Sequence, residues 1–277
     1  MVIAKELMNK PITISKNSNI SQVITKMIDI NKSRLVVMDE SKSVGIVTEK
    51  DIGFFLFSSK SNQSLDRIPL VTIMKGLVFT ENTTPVMACA KKMVEKNISS
   101  LAVGDEKIVE GIFTKSDLTK FYSTNCAKQF KVEEYMTNHY FTVHDVASLS
   151  RVMAKMMEHK ISRILTKDQN NNPNGMISFR DFFRVSLELG VEEVGDFSLS
   201  DNIRRGFLTS GGFGEVTIAR EIMTRGIYSI KKTDDLANAC KEMINHNVNG
   251  LGVLDEKGQI SGVISKTDVM RALASFA

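Results

Sequence analysis

The sequence predicts a mixed α/β fold made of four tandem copies of one β-α-β-β-α unit, each about sixty residues long. Three observations predict it. A short amphipathic segment ending in methionine occurs four times, at Met8, Met74, Met136 and Met223. A second methionine, in a stretch of helical periodicity, follows at a near-constant interval in each copy, at Met27, Met93, Met156 and Met243. Each unit then closes on one pattern, a glycine, two apolar residues, Ser or Thr, and Asp three residues later: Gly45–Asp51, Gly111–Asp117, Gly175–Asp181 and Gly262–Asp268. One such match arises by chance, but four at a constant offset from four upstream landmarks do not.

The elements follow in order. Five or six residues after the anchoring methionine, Thr13, Thr80, Thr142 and Ser229 lie in short β-like runs. The helix carrying the second methionine comes next. Six residues beyond that methionine, Ser33, Ser99, Ser162 and Asn249 open the apolar runs RLVVMDE, SLAVGDE, RILTKD and GLGVLDE, which read as buried strands. A turn leads to the signature glycine and a final strand. Thr48, Thr114, Ser178 or Ser265 then occupies an N-cap position, with Asp51, Asp117, Asp181 or Asp268 inside the first turn of a closing helix. Free backbone N–H groups and the helix dipole make such a start an anion site, and the hydroxyl can donate to a phosphate oxygen. Asp, an acceptor pair, suits vicinal ribose hydroxyls. A cap with no ligand explains any single copy equally well; the recurrence in four copies favours binding.

Composition bounds the function. At 277 residues the chain exceeds the usual single domain, so two globular domains are expected. With 42% apolar and 25% charged residues it falls outside the disordered, collagenous and disulfide-scaffold classes. The net charge of +4 is spread along the chain without a basic block, which gives nucleic-acid binding little support. Cys89, Cys126 and Cys240 show no zinc or redox spacing; Cys89 and Cys240 read as buried thiols suited to a reducing cytoplasm. Glu6 lies near the start, no apolar signal-like run follows, and no window approaches eighteen apolar residues, so a cytoplasmic protein without a membrane span is expected. His139, His144, His159 and His246 form no metal spacing and no triad, and read as helix-surface or turn residues. Ser210–Gly214 lacks the Gly-Lys-Ser/Thr ending of a phosphate-binding loop and reads as linker.

These motifs together resemble the CBS (cystathionine-β-synthase) domain family, over nearly the whole chain apart from residues 188–215. The resemblance implies four CBS repeats, at 1–57, 68–125, 130–187 and 216–277, with 188–215 an inserted linker or a partner-contact segment. It also implies pairing into two Bateman modules, 1–125 and 130–277, with inter-repeat clefts for adenosine-containing ligands and the modules packed into a disk. The spacings from signature glycine to next anchoring methionine agree: Gly111 to Met136, the joint between the modules, is shorter than Gly45 to Met74 or Gly175 to Met223. A short joint lets one chain build the disk alone; a homodimer is the alternative.

The resemblance implies ribose contacts from Asp51, Asp117, Asp181 and Asp268, and phosphate contacts from Thr48, Thr114, Ser178 and Ser265. Arg34 and Arg163, at equivalent positions, and Arg180 are the expected phosphate cations, with Lys50, Lys115 and Lys266 secondary. Glu49, beside Thr48, would repel a polyphosphate if it faced the cleft. Ile12, Phe79, Phe141 and Tyr228, with Thr13, Thr80, Thr142 and Ser229, are candidates for lining the base pocket; plain strand core is the competing reading. Ser33, Ser99, Ser162 and Asn249 either hydrogen-bond the base edge or simply start a strand.

Three functions follow. The first is a regulatory sensor, not an enzyme, that binds AMP, ADP or ATP, or else S-adenosylmethionine or a dinucleotide, with or without magnesium, and signals to a partner protein. The second is a ligand-free structural or adaptor disk. The third, an enzyme or nucleic-acid binder, lacks both a spare domain and a recurring catalytic constellation. Asp181→Ala is expected on the sequence alone to cost only about 0.3 to 1 kcal/mol, as an exposed carboxylate at a helix start.

Overall fold

A computed structural model of the chain describes residues 2–58, 65–106, 108–188 and 218–277. The proposed linker, apart from Glu188, and the Ser210–Gly214 segment lie outside the described residues. Each repeat contributes one sheet. Repeat 1 forms β1 (Thr13–Ser15), α2 (Ile20–Asp29), β2 (Arg34–Asp39), β3 (Lys42–Thr48) and α3 (Glu49–Ser58), after a one-turn helix α1 (Ala4–Leu7). Repeat 2 forms β4 (Phe79–Thr80), α4 (Val86–Glu95), β5 (Ser100–Gly104), β6 (Val109–Thr114) and α5 (Lys115–Asn125), preceded by a 3-10 turn at Leu70–Thr72. Repeat 3 forms α6 (Val132–Tyr135), β7 (Thr142–His144), α7 (Leu149–Glu158), β8 (Arg163–Lys167), β9 (Pro173–Ser178) and α8 (Phe179–Glu188). Repeat 4 forms α9 (Ala219–Ile222), β10 (Thr224–Arg225), β11 (Ser229–Lys231), α10 (Leu236–Asn245), β12 (Gly250–Leu254), β13 (Ile260–Ser265) and α11 (Lys266–Ala274). In every repeat the strand before the first long helix, β1, β4, β7 or β11, pairs parallel with the next, and that one pairs antiparallel with the last, while β10 joins the sheet of repeat 3 antiparallel to β9. The mixed α/β class is as the sequence predicts.

The helix between the first two paired strands of each repeat, α2, α4, α7 or α10, is followed by a left-handed residue, Asn31, Asn97, Lys160 or Asn247, with φ between 50° and 54°. That conformation turns the chain into the second strand. Asn adopts it at lower cost than Lys. Lys160→Asn should therefore stabilise the protein by about 0.5 kcal/mol, and Lys160→Gly by a similar amount, read as a raised urea midpoint with unchanged m. The second methionines, Met27, Met93, Met156 and Met243, are at most 2% exposed and fill the core beneath each sheet. Burial contributes about 1.5–3 kcal/mol for each such side chain.

The described residues divide into two compact units. One holds residues 1–11, 77–140 and 227–277, with the sheets of repeats 2 and 4 over a core that includes Phe113, Leu118, Tyr122, Val269 and Leu273. The other holds residues 12–76 and 141–226, with the sheets of repeats 1 and 3. Its cores gather Ile24, Leu35, Val47 and Ile52 in repeat 1, joined by Phe183 of repeat 3, and Val152, Met156, Ile164 and Ile177 in repeat 3.

The opening segments do not stay with the repeat they begin. Met8 lies over Gly111 of repeat 2, and Met74 over Gly45 of repeat 1. Met136 lies over Gly262 of repeat 4, and Met223 over Gly175 of repeat 3. The residue after each methionine then pairs antiparallel with the residue after the glycine: Asn9 with Ile112, Lys75 with Ile46, Thr137 with Val263 and Thr224 with Met176. Repeats 1 and 2 thus exchange opening segments, as do repeats 3 and 4. The exchange explains why methionine and glycine recur together: a Cβ on the glycine would lie within 2.4–2.8 Å of the exchanged segment in all four cases.

Candidate functional site

The four closing signatures share one geometry. The backbone N–H and side-chain hydroxyl of the N-cap residue both donate to Oδ2 of the aspartate. The distances are 2.7 and 2.8 Å at Thr114–Asp117, and 2.7 Å for both bonds at Ser178–Asp181 and Ser265–Asp268. Thr48–Asp51 has the same pair, 3.0 Å from the amide and 2.5 Å from the hydroxyl. The hydroxyl also accepts from helix-start amides, from Ser116 and Asp117 at 3.1 and 3.4 Å in repeat 2, and from Asp51 at 3.3 Å in repeat 1. The first helical N–H groups of Glu49, Lys115 and Lys266 donate to the carbonyls of Ser33, Ser99 and Asn249. The hydroxyl that the sequence offers to a phosphate thus donates to the aspartate in all four repeats, and the first helical N–H of repeats 1, 2 and 4 is bonded within the protein. Ser33, Ser99 and Asn249 act here through their backbone.

The outer oxygen of the aspartate differs between repeats. Asp51 Oδ1 pairs with Lys75 Nζ at 2.5 Å. Asp117 Oδ1 accepts from Asn9 Nδ2 at 3.2 Å. Asp268 Oδ1 pairs with Arg271 Nη2 at 2.5 Å, and the same guanidinium nitrogen donates to Tyr135 O at 3.0 Å. Asp51 and Asp268 are 8% and 5% exposed, and Asp117 and Asp181 are half-buried.

Strand register brings the recurring arginines to the signatures. Arg34 stands directly opposite Thr48, and Arg163 opposite Ser178. Directly opposed side chains share a face, with Cβ atoms about 4.5–5.5 Å apart. Arg180 instead turns to Glu49, at 3.9 Å, and to Asn31 Oδ1, at 3.4 Å. The Glu49 carboxylate is thus balanced by a guanidinium of repeat 3, and Lys50 lies over the Phe179 ring, 5.7 Å from its centroid. In the unit of repeats 2 and 4, the same positions are linked by Lys115 to Thr267, at 3.0 Å, and Lys266 to Ser116, at 3.1 Å.

The CBS domain profile matches residues 4–56, 66–124, 132–188 and 219–275. The chain belongs to the CBS domain family. Protein MJ1225 of Methanocaldococcus jannaschii is 23% identical over 282 residues, covering 96% of each chain. Its crystal structure, described as that of a proposed archaeal homologue of g-AMPK, matches with a TM-score of 0.81 at 19% identity over the whole of both chains. A conserved protein of Pyrococcus horikoshii matches at 0.65, with 19% identity over 98% of this chain and 100% of that one. Protein MJ1404 of M. jannaschii is 20% identical over 278 residues, 98% of this chain but 62% of its own length. These likenesses establish the shared fold.

Within the CBS repeats, the first-strand candidates divide. Thr13, Phe79, Thr142 and Ser229 occupy one register position, opposite Val36, Ala102, Leu165 and Gly252. The position before it is Ile12, Val78, Phe141 and Tyr228, whose carbonyls accept from those same four strand residues. The sequence alignment of repeat 2 is therefore corrected by one residue: Phe79 takes the place of the hydroxyl, and Val78 that of the aromatic. A one-residue slip reverses the face. Thr80 accordingly points into the core, 5% exposed and 3.8 Å from Cys89 Sγ, equivalent to Ile14, Val143 and Ile230. The displacement is hidden in the sequence because a threonine happens to follow Phe79.

Phe141 and Tyr228 are 36% and 43% exposed, and each already has a partner. Phe141 stacks on His159 and Tyr228 on His246, both with centroids 3.9 Å apart and with interplanar angles of 18° and 19°. The two histidines, expected from sequence at helix surfaces or turns, thus cover the aromatic faces. Ile12 packs against the core of repeat 1, and Ser162 and Ser229 are exposed.

Cys89, Cys126 and Cys240 are buried free thiols, and burial raises the pKa of all three above the ordinary thiol value, so they stay protonated. Among the described residues, no group of three or more His, Cys, Asp or Glu could hold a metal ion, and no helix is long and apolar enough to cross a membrane.

Proposed function

We propose that this CBS protein is a non-enzymatic regulatory sensor that binds adenosine-containing ligands of the AMP, ADP or ATP class at its closing signatures and passes occupancy to a partner protein. The observation that carries this reading is the grouping at the third-strand ends of repeats 1 and 3. There a ribose-suited carboxylate, Asp51 or Asp181, lies three residues from a hydroxyl, Thr48 or Ser178, that faces an arginine across the strand pair. Arginine presents a planar fork to phosphate oxygens. The exchanged opening segments and the matching methionine spacings support pairing repeat 1 with 2 and repeat 3 with 4 as Bateman modules. Ligand would act by favouring one arrangement of paired repeats, by no more than its differential affinity for the two.

A thermal-shift panel with AMP, ADP, ATP, S-adenosylmethionine and NAD, each with and without magnesium, tests the proposal, with calorimetry for stoichiometry. A ligand at a hundred times its Kd should stabilise the fold by about 2.7 kcal/mol and raise Tm by about 5–10 °C. A folded protein that responds to none of them would favour the second reading, an adaptor. That reading draws support from the internal engagement of the signature hydroxyls and helix-start amides.

A further inference from the structure

In three repeats, the group on the outer oxygen of the signature aspartate is supplied or held by the exchanged opening segment. Lys75 and Asn9 each directly follow an anchoring methionine, and Arg271 is held by the carbonyl of Tyr135, the residue before Met136. The three are not equivalent chemically. Lys75 and Arg271 are cations on nearly buried carboxylates, whereas Asn9 offers a neutral amide at 3.2 Å to a half-buried one. A ribose approaching Oδ1 must replace whichever group is there. Hydroxyls restore the hydrogen bonds of an amide, but they do not restore the charge of an ammonium or guanidinium.

We infer that Lys75 and Arg271 are resident counter-ions that compete with the ribose for Asp51 and Asp268, so that repeats 1 and 4 bind an adenosyl ligand more weakly than repeat 2. This rests on the sensor reading above and ranks the sites within it. Lys75 is 70% exposed along its side chain and Arg271 47%, so each can swing into water when displaced. The penalty is that of a solvent-screened ion pair, about twofold to fivefold in affinity. The competition is built into the exchange of opening segments, because a movement that withdraws the segment of residues 74–75 also withdraws Lys75 from Asp51. Ligand at Asp51 and close docking of that segment therefore oppose each other.

The test is calorimetric titration of the full chain with AMP and with uncharged adenosine, for the unsubstituted protein and for Lys75→Met, Arg271→Met and Asn9→Ala. Circular dichroism and melting first establish that each variant is folded. The expected result is at least one tight site in the unsubstituted protein. Lys75→Met and Arg271→Met each tighten a weaker site about twofold to fivefold, for adenosine as well as for AMP, and Asn9→Ala changes affinity by less than about twofold. The use of adenosine excludes an effect through phosphate. Unchanged or weakened binding in both methionine variants, with the unsubstituted protein still binding, would overturn the counter-ion role alone. Absence of binding in all four folded proteins would overturn both it and the sensor reading.

Discussion

Asp268→Ala should cost about 2 kcal/mol of stability and lower Tm by about 4–8 °C, although the residue sits at a helix start where a surface carboxylate contributes a few tenths. Asp268 is 5% exposed, and its Oδ2 accepts from both the amide and the hydroxyl of Ser265 while Oδ1 faces Arg271. Removing the carboxylate leaves a half-buried N–H and O–H without their acceptor, each worth about 1 kcal/mol. Asp51→Ala should match it, having the same cap and the Lys75 pair at 8% exposure, and half-buried Asp117 and Asp181 should cost less. Asp268→Asn keeps one acceptor and should lose about half as much. Denaturant melts of the four alanine variants check the order. A loss below about 0.5 kcal/mol at Asp268 would remove the capping role and restore the purely ligand-directed reading. Because the alanine variants are destabilised, ribose contact is better tested with the asparagine variants, whose folding is closer to that of the unsubstituted protein.

Gly262→Ala should be at least as damaging, by about 2–4 kcal/mol. The new Cβ would meet Thr137 O at 2.6 Å and Met136 Cε at 2.4 Å, and that carbonyl accepts the Val263 amide in an antiparallel bridge. Backbone in a bridge cannot yield without losing its hydrogen bonds, so the opening segment of repeat 3 must lift off repeat 4. Gly111→Ala presents a softer case, because the nearest atoms, from 2.5 Å, all belong to the Met8 side chain. Met8→Gly, which removes the Sδ, Cγ and Cβ atoms that the new methyl would meet at 2.5–2.7 Å, should rescue it, with a favourable coupling of about 1 kcal/mol in a double-mutant cycle. Gly76→Ala, with no atom within 4 Å of the added methyl, is the control and should be near neutral. Equal losses at Gly76 and Gly262 would show that the glycines are needed for backbone freedom and not for the seating of the exchanged segment.

Much of this was legible in the residues. The four methionine anchors, the buried second methionines and the closing signature all recur at near-constant spacing, and local physics interprets each: helical periodicity, strand-length apolar runs, a hydroxyl where a helix must start. The interval between methionines is one residue shorter in repeats 1 and 2, Met8 to Met27 and Met74 to Met93, than in repeats 3 and 4, Met136 to Met156 and Met223 to Met243. The register shows that the difference lies before the first strand, five residues from Met8 to Thr13 and from Met74 to Phe79, but six from Met136 to Thr142 and from Met223 to Ser229. A pattern search for hydroxyls chooses Thr80 in repeat 2, since sequence alone cannot report which face of a two-residue strand meets the core. The strand ladder reports it directly.

What the amino-acid sequence by itself determined is therefore the repeat, its elements and the residue types at each helix start, because these depend on interactions spanning a few residues. Tertiary structure alone decided the partners. It placed Met8 on Gly111 and Met136 on Gly262, set Lys75 against Asp51, turned Arg180 to Glu49, and laid His159 and His246 over Phe141 and Tyr228. Each of these contacts joins residues from different elements, most of them from different repeats. Their geometry is set by how whole faces bury against one another, a non-local balance that no short-range pattern encodes.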